Sequence, residues 1–273
     1  MVDAALRAAQ RVEVKPLRRS RHATTYFVRL PIGSGAHGNA ITQARTDAEP
    51  TFARDCKVDP QHRAAQLDLF IKLFNPPKGP SRLLKPGRWI RASKVARITE
   101  RLRAHAFSTP SLLLLGEESR SRRSMLIARR AEGELLPIAV SRAAADRPAR
   151  KWELLSALAR EVARLHNAGF VHGDLTPYNV LVIEGPPRRF VLLDHDRTSL
   201  PVFLRRRREL RNLVQLGCRE FDFLSKADRL RFFYAYAEAR GLRAFDSALR
   251  RANAMLSARR RRDLRKVAAH GGG

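Results

Sequence analysis

Cysteine is nearly absent: the 273 residues include two, Cys56 and Cys218, far apart and in no C-x-x-C spacing. That excludes a disulfide framework and gives no sign of a zinc site, so a reducing compartment is the expected setting. Long apolar runs are missing as well. The longest, such as Leu112 to Leu115, fall far short of the ~20 residues that cross a bilayer. The opening MVDAALRAAQRVEVK carries no secretory apolar core, and we expect a cytoplasmic protein. Aromatic residues make up only 7% and form no repeat with basic ones, which argues against a base-stacking platform, and no specific nucleic-acid partner is expected.

Acidic residues and lysine are scarce too. Against 26 Asp and Glu stand 54 basic residues, of which only nine are lysine and 45 are arginine, for a net charge of +28. The planar guanidinium fork matches phosphate, so a phosphate-rich partner is implied: nucleic acid, anionic lipid headgroups or a phosphorylated glycolipid. A GC-rich coding sequence would produce the same bias with most arginines merely solvated. The runs Arg205 to Arg208 and Arg259 to Arg262 go further, because like charges packed so closely repel unless an anion neutralises them. The apolar fraction, 44%, suffices for one sizeable core or two small lobes.

Along the chain, RVEV and TTYFVRL read as a hairpin joined by the basic segment KPLRRSRHA, and residues 31–66 read as a long loop or insertion. LDLFIKLF alternates as a strand, with Leu67, Leu69, Ile71 and Leu73 on one face and Asp68 and Lys72 on the other, so Lys72 is expected to point away from the core. A Pro- and Gly-punctuated connector follows, then a helix over 90–106 and two further strands in TPSLLLLGEES and RSMLIARRAEG. Trp152, Leu155, Leu158, Ala159, Val162 and Leu165 recur at the spacing of a buried helix face. Later, Leu230, Phe233, Tyr234 and Ala237 form a stripe that reads as core.

The chemistry concentrates in HNAGFVHGDLTPYNVLVIEGPPRRFVLLDHDRTS, residues 166–199. Val180–Ile183 and Phe190–Leu193 are apolar runs around the turn EGPPR and should pair as an antiparallel hairpin. Asn179 directly precedes the first strand and Asp194 directly follows the second, so both emerge at the open end. An amide oxygen and a carboxylate converging there suit Mg²⁺, which shares its remaining positions with water and phosphates. Asp174, on the preceding loop, can reach the same space without being a ligand. His172 reads as structural.

H-G-D-L-T-P-Y-N resembles the kinase catalytic loop H-x-D-x-x-x-x-N, and LLDHD resembles the segment that supplies the metal-binding Asp of D-F-G. More narrowly, HGDLTPYNVLV, VLLDHDRTS, RRELRNLVQLGCR and SKADRLRFFYAYAEARG are similar to the bacterial lipopolysaccharide kinases, the Kdo and heptose kinases. The resemblance implies an α+β, two-lobed protein-kinase-like fold: a small antiparallel β-lobe with one helix over 1–133, which binds ATP, and a mainly helical catalytic lobe with a basic tail over 134–273. It assigns Asp174 to the acceptor hydroxyl's proton, Asn179 and Asp194 to the metal, and Lys72 to the α- and β-phosphates. The Lys72 partner should be a Glu on the following helix, and Glu100 is the sole acidic residue between Asp68 and Glu117.

Three departures stand out. RRSR replaces a Gly-rich loop, Gly173 replaces the Arg that usually precedes the catalytic Asp, and no A-P-E segment follows Asp194, so neither activation-loop control nor a peptide platform is implied. The expected activity is ATP- and Mg²⁺-dependent phosphorylation of a sugar hydroxyl in the lipopolysaccharide inner core. The protein would be peripheral on the cytoplasmic face of the inner membrane, with an anionic glycolipid as substrate. The rival readings are a small-molecule or protein kinase of the same fold and a basic nucleic-acid-binding pseudokinase.

Overall fold

The computed structural model describes residues 17–19, 23–31, 66–75, 91–118, 123–203, 205–217 and 224–242, with scattered positions from 247 to 261. RVEV, the loop interior between residues 31 and 66, most of the connector after Asn75, both cysteines and all of the run 259–262 except Arg261 lie outside the described residues. The chain divides into two compact units. One comprises Met1–Arg97 with Pro110–Ala131, and the other Ile98–Thr109 with Glu132–Gly273.

The first unit is an antiparallel sheet of order β1-β2-β3-β5-β4, from β1 (Arg18–Arg19), β2 (Ala23–Pro31), β3 (Gln66–Phe74), β4 (Leu112–Glu118) and β5 (Arg123–Arg129). The strand that pairs with β2 is therefore drawn from the basic segment itself, with Arg18 opposite Thr25 and Arg19 opposite Thr24. Helix α1 (Arg91–Ala104) contributes Ala92 and Val95 to this unit's core, beside Ala23, Phe74, Leu126 and Ala128.

Strand β3 alternates as expected, but Lys72 is not on the solvent side. Phe74, two residues further along the same face, is 2% exposed and belongs to the core, and Leu126, directly opposite Lys72, belongs to it too. Lys72 is half-buried, with Nζ 5.5 Å from the centroid of the Phe74 ring. On the leucine face only Leu69 is buried and Leu67, Ile71 and Leu73 are half-buried, while on the Lys72 face Phe74 is clustered with Ala92 and Val95 of α1.

In the second unit, β6 (Glu134–Leu135), β7 (Val180–Ile183) and β8 (Arg189–Leu192) form a small antiparallel sheet. Helices α2 (Leu136–Asp146), α3 (Pro148–Asn167), α4 (Arg205–Gly217) and α5 (Lys226–Ala239) surround a common core. Pro148 sets the first turn of α3, where its missing N–H is no loss. Leu154, Leu155, Leu158, Ala159, Val162, Ala163 and Leu165 bury that helix's inner face, while Trp152 stays partly exposed.

Helix α5 is rotated relative to the expected stripe. Phe233, Tyr236 and Ala237 are buried, whereas Leu230 and Tyr234 are exposed. A capping box sets this rotation: Ser225 Oγ accepts from the Asp228 N–H at 3.1 Å and Asp228 Oδ2 accepts from the Ser225 N–H at 2.9 Å. Buried Asp228 also accepts from Lys151 Nζ at 2.8 Å and Trp152 Nε1 at 2.9 Å, which docks the start of α5 on α3. Burial alone would raise the Asp228 pKa, but Lys151, the Ser225 backbone and hydroxyl, and Trp152 outweigh it and hold it at about 2.

Candidate active site

The expected hairpin forms, with Val180 opposite Leu192, Leu181 opposite Val191, Val182 opposite Phe190 and Ile183 opposite Arg189. That register brings Leu193 to Asn179, and the Leu193 N–H donates to the Asn179 carbonyl at 2.9 Å. The Leu193 carbonyl accepts from His172 Nε2 at 2.8 Å. One residue thus fastens three segments: the stretch leading to Asp174, the turn ending in Asn179, and the start of Asp194. Asn179 closes the set, donating from Nδ2 to the Asp174 carbonyl at 2.8 Å, while the Thr176 N–H also donates to that carbonyl, at 2.9 Å.

These bonds decide which atoms remain for chemistry. With the Asn179 Nδ2 committed to a backbone carbonyl, its Oδ1 is the atom available to a cation. Asp194 is a non-glycine residue at φ 58 and ψ 70, a left-handed conformation that Asp tolerates better than most side chains and that is held here by its anchored neighbour. Asp174, Asn179 and Asp194 are all half-buried. An amide oxygen and a carboxylate are hard donors that fit Mg²⁺. Among the described residues no group of three or more His, Cys, Asp or Glu is arranged to hold a metal ion by itself.

The loop carrying Asp174 is gripped from both sides. Behind it the segment 195–199 is zipped to it: the N–H groups of Val171 and Ser199 each donate to the other's carbonyl, at 2.9 and 3.0 Å, and Thr198 Oγ1 donates to the His172 carbonyl at 3.2 Å. Gly173 explains one departure from the kinase pattern. Its φ is +76, and a Cβ there would stand 2.6 Å from the Arg197 carbonyl oxygen, so no side chain fits. His172 is fully buried and structural, as expected, and desolvation lowers its pKa despite the opposing pull of the Leu193 carbonyl, Asp194 and Asp174.

On the other side, α4 supplies two amides that sequence reasoning missed. Asn212 Oδ1 accepts from the His172 N–H at 3.0 Å. Gln215 Oε1 accepts from the Leu175 N–H at 3.1 Å, and Gln215 Nε2 donates to the Gly173 carbonyl at 3.0 Å. Asn212 Nδ2 links the two by donating to Gln215 Oε1 at 3.0 Å. Backbone groups on both sides of Asp174 are thereby fixed by one helix. Behind Asn212 lie His166, whose Nε2 is 3.2 Å from Asn212 Oδ1 and whose Nδ1 is 2.8 Å from the Tyr236 hydroxyl, and buried Glu209, which binds Arg205 at 2.9 Å and Arg240 at 2.8 Å. The readable signal was a polar stripe of Glu209, Asn212 and Gln215, every third residue on a helix, alternating with Leu210, Leu213 and Val214.

The other two expected site residues are placed by element and unit. Lys72 belongs to the first unit, on β3. Glu100 is exposed on α1, next to buried Thr99, in the stretch counted with the second unit.

A family model described as the lipopolysaccharide kinase (Kdo/WaaP) family matches residues 89–236, which include Asp174, Asn179 and Asp194 but not Lys72. Among solved structures, one described as WaaP in complex with acyl carrier protein is 18% identical, covering 93% of this chain and 92% of that one with a TM-score of 0.60. A WbdD structure with the kinase inhibitor LY294002 is 18% identical over 67% of this chain and 45% of its own, at a TM-score of 0.38. No curated protein matches the chain. The WaaP likeness establishes the two-part kinase fold, a small antiparallel sheet with a helical part, that the catalytic-loop motif implied.

Proposed function

Because the chain belongs to the lipopolysaccharide kinase (Kdo/WaaP) family, we propose that this kinase transfers the γ-phosphoryl group of ATP to a hydroxyl of a Kdo or heptose sugar in the lipopolysaccharide inner core. It does so from the cytoplasmic face of the inner membrane. The observation that carries this reading is the tie at Leu193, which holds His172, Asn179 and the start of Asp194 together while Asn179 holds Asp174.

In this reading Asp174 accepts the proton of the acceptor hydroxyl as its oxygen bonds to the γ-phosphorus. The bond from that phosphorus to the β–γ bridging oxygen breaks, and ADP leaves. Asn179 Oδ1 and the Asp194 carboxylate would hold Mg²⁺, Lys72 would bind the α- and β-phosphates, and Glu100 would be its charge partner. When bound, the cation neutralises charge on the phosphoryl oxygens. The chain's own contribution is positioning, which is why Asp174 is braced through its backbone on two sides. Residues 1–133 would serve as the nucleotide-binding lobe and 134–273 as the catalytic lobe.

An acceptor panel tests the proposal. Purified protein and Mg-ATP are offered inner cores ending in Kdo or in heptose, free sugars and unrelated proteins, and each product is read by mass spectrometry. The expected result is one added phosphate on an inner-core sugar. Phosphate found only on free small molecules or on protein would overturn the acceptor assignment while leaving the kinase intact.

A further inference from the structure

Beyond Asp194 the chain turns through His195–Arg197, pairs Ser199 with Val171, and then projects two large apolar side chains outward before α4 begins. Val202 is 85% exposed and Phe203 83%, far more than any other large apolar residue among the described positions. A solvated phenylalanine beside a solvated valine is a cost that a folded protein ordinarily avoids by turning one of them inward. After Leu204 the chain turns basic. Arg206, Arg207 and Arg208 are exposed, as is Arg211 one turn later, whereas Arg205 is occupied by Glu209 and the His166 carbonyl.

We propose that Val202 and Phe203, with Arg206, Arg207 and Arg208, form a docking tip that inserts into an anionic lipid surface. The chemistry matches such a surface in both parts: an apolar pair enters the acyl boundary while guanidinium groups stay level with phosphate headgroups. A protruding pair of side chains suits a soft interface better than a protein partner, which would be expected to meet a groove. The tip is also close to the catalytic loop. Phe203 follows Ser199 by four residues, so it lies within about 14 Å of the point where Ser199 is bonded to Val171, three residues before Asp174. Docking there would hold the loop near headgroup level, where the sugar of a membrane glycolipid sits. This last point rests on the function proposed above, but the docking itself does not.

Vesicle flotation of the full chain tests it, using phosphatidylcholine vesicles with and without added phosphatidylglycerol. The wild type should bind the anionic vesicles and lose binding as salt rises. Val202→Ser with Phe203→Ser should weaken binding about tenfold without changing the salt dependence. Arg206→Gln, Arg207→Gln and Arg208→Gln together should weaken it about a hundredfold and flatten that dependence. Phe203→Trp should gain an indole fluorescence that brominated lipid tails quench. Wild-type affinity in both sets of binding variants would overturn the proposal. So would a fluorescence in Phe203→Trp that brominated lipid quenches no more than it quenches the wild type, or that only an acidic protein protects. Transfer to a soluble core oligosaccharide should be unchanged in all of these variants. If the wild type phosphorylates no inner-core sugar yet docks through this tip, the functional reading fails and the docking stands.

Discussion

Replacing Gln215 with leucine separates holding the catalytic loop from merely folding. The substitution keeps most of the side-chain volume but removes the partner of the Leu175 N–H at 3.1 Å, of the Gly173 carbonyl at 3.0 Å and of the Asn212 amide at 3.0 Å. Each buried polar group left unpaired costs about 1–3 kcal/mol, so the loss is on the order of 4 kcal/mol. At roughly 2–4 °C per kcal/mol for a chain of this size, the melting temperature should fall by about 10 °C. Freed of its brace, Asp174 would wander from its position, and misplacement of this kind costs about a hundredfold in kcat. The assay is steady-state phosphotransfer below the variant's melting range, with KM for ATP measured beside kcat. The expected split is a fall in kcat with KM nearly constant. A kcat within about twofold of wild type, whatever the melting temperature, would refute the positioning role and leave Gln215 as a purely structural residue.

Three further outcomes follow from the same geometry. Gly173→Ala should abolish most activity, because its Cβ would meet the Arg197 carbonyl oxygen at 2.6 Å at a φ of +76, and circular dichroism should show the helices retained. Asp194→Ala should raise the Mg²⁺ concentration needed for half-maximal transfer at least tenfold, read by metal titration at saturating ATP. Stability should fall in two steps on acidification, followed by urea midpoints against pH. Burial pushes the His166 pKa to about 4 from 6.5, so the unfolded chain takes up that proton first; the stability is complete above about pH 6.5 and is lost toward pH 4, about 3 kcal/mol in all. Asp228, held at about 2 against 3.8, loses a further ~2 kcal/mol between about pH 4 and pH 2.

Much of the site was legible because its skeleton is local. Val180–Ile183 and Phe190–Leu193 are short apolar runs around a turn, and their pairing dictates that Asn179 and Asp194 emerge together. The stripe of Glu209, Asn212 and Gln215 on one helix was legible, but what its amides bind was not, for a physical reason. Asn212 and Gln215 bind backbone groups 40 to 42 residues upstream, and a backbone N–H or carbonyl leaves no mark on residue identity. The face of Lys72 was misread because leucines outnumber phenylalanines in LDLFIKLF, whereas the space against α1 is filled by Phe74. Helix α5 turned away from its expected stripe because a cap and two donors from α3 pull Asp228 inward, a tertiary choice that periodicity does not encode.

The central claim is that Asp174, Asn179 and Asp194 form a phosphotransfer centre, and transfer of radiolabelled γ-phosphate from Mg-ATP to purified lipopolysaccharide core tests it most directly. Wild type should label the glycolipid, and Asp174→Ala should lower the rate by at least a thousandfold while ATP still binds, as the role proposed for Asp174 in orienting and deprotonating the acceptor requires. Labelling that persists in Asp174→Ala at close to the wild-type rate would contradict the account.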